Sequence, residues 1–134
     1  MRSKAFWIIL ACWIGAVVDA GAASMLMFPV LNTWITGEPA SVDNVTFQNT
    51  TATAAALMWG WTVLLVWASR RPSDRYGVIA ITIFPVLTWL TGSRIYNLAN
   101  GLVDPSRNIP ILILQLCILA LMVFSLWNYH HGKE

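Results

Sequence analysis

The chain has 134 residues, 57% of them hydrophobic and 10% charged, with a net charge of +2. A water-facing domain carries about a quarter charged residues, so the composition excludes a soluble globular enzyme and requires lipid over most of the surface. A spanning helix needs ~20 mainly apolar residues. Four spans with short connections therefore use up the chain, leaving a single membrane domain over residues 1–134 and no soluble catalytic module.

The first apolar run begins at Ala5 and extends to about residue 30, behind a short basic start containing Arg2 and Lys4. It is too long for the apolar part of a signal peptide and carries Asp19 near its middle, so an uncleaved anchor is expected although Ala20, Ala22 and Ala23 imitate a cleavage site. Residues 32–51 are polar, rich in Gly, Pro, Asn and Thr, and free of lysine and arginine, which reads as a loop. The second helix is expected over 52–69, followed by a tight basic turn of Arg70, Arg71, Pro72, Ser73, Asp74 and Arg75. The third is expected over 76–98 with an interruption at Pro85, and the fourth over 109–129. The fold class is an all-α integral membrane protein, a four-transmembrane-helix bundle.

Orientation is set by the distribution of basic side chains. Arg2, Lys4, Arg70, Arg71, Arg75 and Lys133 fall on one side of such a bundle, and only Arg107 on the other. Both termini are therefore expected in the cytoplasm, with the 32–51 loop outside. The expected location is a cell membrane, specifically a bacterial inner membrane, crossed several times. Trp7, Trp34, Trp67, Tyr76, Tyr96, Trp127 and Tyr129 fall near the water interfaces, where amphipathic rings settle. Trp13, Trp59, Trp61 and Trp89 lie deeper, and their indole N–H groups need partners in neighbouring helices or a ligand.

Gly15, Ala16, Ala20, Gly21, Ala22, Ala23 and Ser24 make the first helix thin, and Ala52, Ala54, Ala55, Ala56 and Gly60 do the same for the second. Small residues allow close helix approach in lipid, so a tight contact between these helices, or between subunits, is expected. Cys12 and Cys117 lie at different depths, too far apart for an easy disulfide, and read as inert apolar residues. The segment from Phe28 to Gly37 echoes that from Phe84 to Gly92: both open on Phe-Pro-Val-Leu and share a Thr-Trp and a Thr-Gly. A duplication or two independent Pro-bent segments both account for it.

Ionisable residues inside a span are costly and point to function by default. Asp19 and Arg94 are the two, at ~21 Å and ~27 Å from the cytoplasmic starts of their helices at 1.5 Å per residue. They are expected to pair in the outer half of the bundle, either as a structural ion pair or as part of a site. Arg94, Asn97 and Asn100 share one side of the third helix, and with Asp19 and Gln115 they form a candidate polar pocket for a small polar ligand or a lipid head group.

No metal-ligand cluster, phosphate-binding glycine loop or nucleophile triad is present, so no catalytic residue, metal site or cofactor is assigned. His130 and His131 lie beyond the last predicted span, and Asn44 and Asn49 open glycosylation sequons that matter only in a eukaryote. The expected partners are membrane lipids and either further copies of the chain or a larger membrane complex; nucleic acid is not among them. The function expected is binding or transport of a small molecule or lipid. A structural subunit of a membrane complex is the alternative, and an intramembrane lipid-modifying enzyme comes third for want of a nucleophile.

Overall fold

The computed structural model describes residues 2–37 and 44–131. Their regular structure is entirely helical: α1 (Arg2–Met27), α2 (Pro29–Thr36), α3 (Val45–Ser69), α4 (Pro72–Ile81), a π-helical stretch (Thr82–Leu87), α5 (Thr88–Ala99) and α6 (Pro105–His131). Four stretches are long and apolar enough to cross a membrane: Phe6–Met27, Val45–Ser69, Asp74–Ala99 and Pro105–Tyr129. The third joins α4, the π stretch and α5 into one bent rod. The start of α1, the α3–α4 turn and the end of α6 lie at one end of the bundle, here the near end. The far end carries α2, the start of α3 and the α5–α6 turn.

The largest departure from the sequence expectation is at the far end. Much of the segment read as a loop over 32–51 is helical, and α3 begins about two turns earlier than residue 52. Asn44 explains the early start, because its side-chain oxygen accepts hydrogen bonds from the Thr46 and Phe47 amides at 2.9 and 3.3 Å. That is an N-cap, and it satisfies two of the helix's orphan donors. The threonines that suggested a loop instead return their hydroxyls to their own helix: Thr50, Thr51 and Thr53 donate to the carbonyls of Thr46, Phe47 and Asn49 at 2.8 Å. Glu38, Pro39 and Asp43 lie outside the described residues. The first sequon asparagine is thus a helix cap, and the second sits within the first turns of α3.

The two Phe-Pro segments share a local conformation and then diverge. Phe28 has φ −116° and ψ 91°, and Phe84 has φ −98° and ψ 83°. Both are extended, as steric conflict with the next residue, a proline, requires. After Phe28 the chain restarts as α2 with Pro29 in its first turn, and ends at Gly37 in the left-handed region at φ 76°. After Phe84 the rod continues as a π turn, and the Thr88 hydroxyl donates to the Ile83 carbonyl at 2.8 Å beside the backbone bond from its own amide. That hydroxyl strengthens the satisfaction of a carbonyl next to the break that proline makes in the ladder.

α1 is the centre of the bundle, with its most extensive contact on α3 and further contacts on α6 and α4. The expected α1–α3 approach is found, and Ala16 and Ala23 on α1 and Ala55 and Leu65 on α3 are all buried. The apolar core towards the near end gathers Ile8, Ala11, Cys12, Ala68, Ile79, Leu87, Ile118 and Met122. Gly15 sits where three helices meet: a β-carbon there would lie 2.7 Å from Met122 Cε and 3.3 Å from Leu65 Cδ1. At the near end the Trp7 and Phe124 rings meet edge to face at 5.4 Å, and the Arg75 guanidinium lies 3.4 Å over the Trp67 ring while donating to the Trp67 carbonyl at 2.6 Å. Cys12 and Cys117 are free thiols, one buried and one exposed.

Candidate functional site

The inward stripes of α1, α5 and α6 carry polar residues, and Thr62, Ser69 and Thr82 are buried on α3 and the π stretch. On α6 the stripe runs Asn108, Gln115, Ile118, Met122, Ser125, a spacing of three, four and seven that keeps one helix face towards the bundle. On the third rod, Leu87 at the end of the π stretch and Thr91, Arg94 and Leu98 on α5 do the same. The two helices run antiparallel from the far-end turn and meet where Arg94 Nη1 donates to Asn108 Oδ1 at 2.6 Å. Asn108 is 3% exposed, and its amide nitrogen donates back to the Asp104 carbonyl at 3.0 Å. This amide therefore holds the guanidinium and ties it to the first turn of α6.

Below that contact the stripes carry polar atoms that the protein leaves unmatched. Thr91 is 6% exposed and its hydroxyl has no hydrogen-bond partner. Gln115 Oε1 is buried and accepts no hydrogen bond, and further along α6 the same holds for the Ser125 hydroxyl, on a residue 1% exposed. A buried polar atom without a partner costs roughly 1–3 kcal/mol. Water or a ligand at these atoms removes that cost.

Asp19 lies on the inward stripe of α1, one turn beyond Gly15, and is half-buried. The expected ion pair with Arg94 is not formed. Among the described residues the one ion pair joins Arg107 and Asp104 at 4.0 Å, on the exposed start of α6. The reason is architectural: α5 packs on α6 and the π stretch and does not pack on α1, so Arg94 meets Asn108 before it can reach Asp19. Asp19 has no hydrogen bond or ion pair among the described residues. The meetings of Gly15 with Met122 and of Trp7 with Phe124 fix the antiparallel register of α1 and α6. That register places Asp19 within about one turn, ~5 Å, of the level of Gln115.

Asn97 is half-buried on the Arg94 side of α5, and Asn100 is exposed. The Asn100 side chain donates to the Tyr96 carbonyl at 2.8 Å, and Gly101 comes next at φ 65°, so Asn100 closes the helix rather than lining the cluster. Of the five residues singled out in the sequence, the fold thus gathers Asp19, Arg94 and Gln115 on inward stripes, leaves Asn97 at their margin and sets Asn100 apart. Thr91 and Asn108 belong to the cluster and were missed. Thr91 was findable as the residue three before Arg94. Asn108 was hidden because α6 starts at Pro105, ahead of the expected helix start at 109.

Of the deep tryptophans, Trp61 donates to the Thr82 hydroxyl at 3.1 Å and Trp59 to the Met27 sulfur at 3.3 Å. Trp13 and Trp89 point outward instead, Trp89 with 78% of its surface exposed. A groove of about 390 Å³ opens between α1 and α3 at the far end, lined by Leu26, Met27, Gln48, Thr51, Ala55 and Trp59 among others. At the far-end surface, Arg107 also donates to the Trp34 carbonyl at 3.3 Å, anchoring α2 to α6. Among the described residues no group of three or more His, Cys, Asp or Glu could hold a metal ion.

Comparison with family models, curated proteins and solved structures found no match.

Proposed function

We propose that this chain is a multi-pass membrane protein that binds or transports a small molecule or lipid through a polar site in the outer half of its helix bundle. Both termini and the basic Arg70–Arg75 turn then lie on the cytoplasmic side of a bacterial inner membrane, and the far end lies outside. One observation carries it: Asp19, Thr91 and Gln115 face inward from three helices, at the depth of a membrane interior, without hydrogen-bond partners. Polar groups in lipid are retained where they meet protein, water or a ligand. Arg94, held by Asn108 nearer the far end, is suited to meet an anionic oxygen of an entering molecule.

The test is purification from the native membrane in mild detergent, followed by mass spectrometry of the intact assembly. A specific small molecule or lipid retained by the wild-type chain and lost in Thr91→Val and Gln115→Leu supports the reading. An assembly that carries no small molecule overturns it.

A second reading, a subunit of a homo-oligomer or larger membrane complex, has an observation of its own. Ala52, Ala56 and Gly60 present an exposed small-residue face on α3, with open space beside Gly60, while Trp13 and Trp89 turn their rings outward. Such faces suit close packing of another helix in lipid. A stoichiometric protein partner in the same mass spectrum favours this reading.

A further inference from the structure

We propose that the groove between α1 and α3 at the far end holds one acyl chain of a phospholipid from the far-end leaflet. The site lies apart from the unmatched polar atoms of α5 and α6 and does not depend on what they bind.

The groove follows α3 within the apolar stretch Val45–Ser69. On that helix its lining runs from Gln48 to Trp59, ~16 Å at 1.5 Å per residue. That length is close to half of a ~30 Å hydrocarbon core, the depth that the chains of one leaflet occupy. The lining is graded in the same direction. Gln48 and Thr51 stand nearest the helix start, Ala52, Ala55 and Ala56 follow, and Trp59 is deepest. The Trp59 indole donates to the Met27 sulfur at 3.3 Å and so ties α3 to α1 along the groove. None of the lining residues is charged. A phospholipid presents the same order, a polar neck above an apolar chain. At the mouth the Gln48 amide group supplies donors of the kind that ester oxygens accept.

The volume selects the occupant. About 390 Å³ spread over ~16 Å gives a mean cross-section of ~24 Å², a trough ~5–6 Å across. A single extended hydrocarbon chain fits that width, because its carbons meet the walls at ~3.5–4.0 Å. A helix from a second copy is ~10–12 Å across with its side chains and is too wide to enter. Water is a poor filling, since below Thr51 the lining is alanine, leucine, methionine and the tryptophan ring, and a lasting water needs two or more polar partners. The trough exists because α3 carries alanine at 52, 55 and 56. Ala55 is buried at its base, whereas Ala52 and Ala56 are exposed, so a longer side chain at either of these two positions fills the space.

The test uses the purified full-length chain in lipid nanodiscs that contain a phosphatidylethanolamine with a diazirine in one acyl chain. Irradiation followed by peptide mass spectrometry locates the attachment. Labelling is expected at Met27, Ala55, Ala56 and Trp59, and it saturates as the probe fraction rises. Phe84 and Trp89, 77% and 78% exposed, report ordinary lipid contact, and their labelling rises in proportion to the probe. Ala52→Leu combined with Ala56→Leu is expected to lower groove labelling at least ~tenfold, one decade of affinity, while Phe84 and Trp89 are labelled as before. Leucine suits a helix nearly as well as alanine, so this variant is expected to fold. Should gel filtration show that it does not, Ala56→Leu alone carries the test. Groove labelling that rises in proportion to the probe, or that is unchanged in the leucine variant, overturns the proposal. A groove closed to the probe also overturns it. If Ala56→Cys chains lacking Cys12 and Cys117 then crosslink to one another, the occupant is a second copy.

Discussion

Replacing Gly15 with leucine tests the packing on which the site's register depends. A β-carbon at Gly15 would stand 2.7 Å from Met122 Cε, well inside van der Waals contact, and 3.3 Å from Leu65 Cδ1. Met122 and Leu65 are each 1% exposed, so neither can swing into lipid without breaking its own contacts. Alanine at position 15 needs only the flexible methionine tip to move, and its helix propensity exceeds that of glycine by ~1 kcal/mol, so Gly15→Ala is expected to be close to neutral. Leucine adds three more carbons and forces α1 away from α6, at a cost of about 1–3 kcal/mol for overpacking. Met122→Ala alone opens a cavity and costs about 2–5 kcal/mol on the scale of core truncations. The double variant roughly conserves volume. It is expected to be more stable than the sum of the two losses by at least ~1 kcal/mol, the coupling expected of residues in direct contact. Reversible unfolding in mixed detergent micelles, monitored by circular dichroism, measures all four corners of the cycle. Strict additivity, or a leucine variant as stable as wild type, would refute the three-helix junction and with it the level assigned to Asp19.

Three named contacts give further expected outcomes. Gly37→Ala places a β-carbon in the left-handed region and 2.7 Å from the Arg107 guanidinium, so α2 should lose its anchor at a cost of ~1–2 kcal/mol, read as faster amide exchange over 29–36 with α3 unaffected. Thr88→Val deletes the hydroxyl bond to the Ile83 carbonyl beside Pro85, and a loss of ~1 kcal/mol in the same unfolding assay is expected. Asn108→Leu removes the acceptor of a charged donor, for which about 1.5–3 kcal/mol is expected, and Asn108→Asp should recover most of it.

The number of helices long and apolar enough to cross a membrane was legible because hydropathy over ~20 residues depends on composition and not on partner choice. Local chemistry was less so. The threonines Thr50, Thr51 and Thr53 look like loop formers, yet they close their hydroxyls onto their own helix, and Asn44 starts that helix by capping it. The two Phe-Pro steps were recognisable as equivalent in sequence, and their phenylalanines do share an extended backbone. After that step the chain starts a separate helix, α2, in one copy and runs on through a π turn into α5 in the other. Asp19 and Arg94 were identifiable one at a time, as charges within apolar runs. Their pairing was not, because it depends on whether α5 touches α1. In the fold α6 supplies Asn108 first, and the carboxylate has no ion-pair partner among the described residues.

The claim that polar side chains line a solvent- or ligand-accessible site inside the bundle is tested most directly by thiol labelling. In a background with Cys12 and Cys117 replaced by alanine, Gln115→Cys is treated with a membrane-impermeant maleimide from each side of the membrane. Val63→Cys, on the exposed face of α3, serves as the lipid-facing control. Gln115→Cys is expected to react from the outer side, while Val63→Cys stays unreacted. A Gln115→Cys chain as inert as the control, from both sides, would contradict the claim.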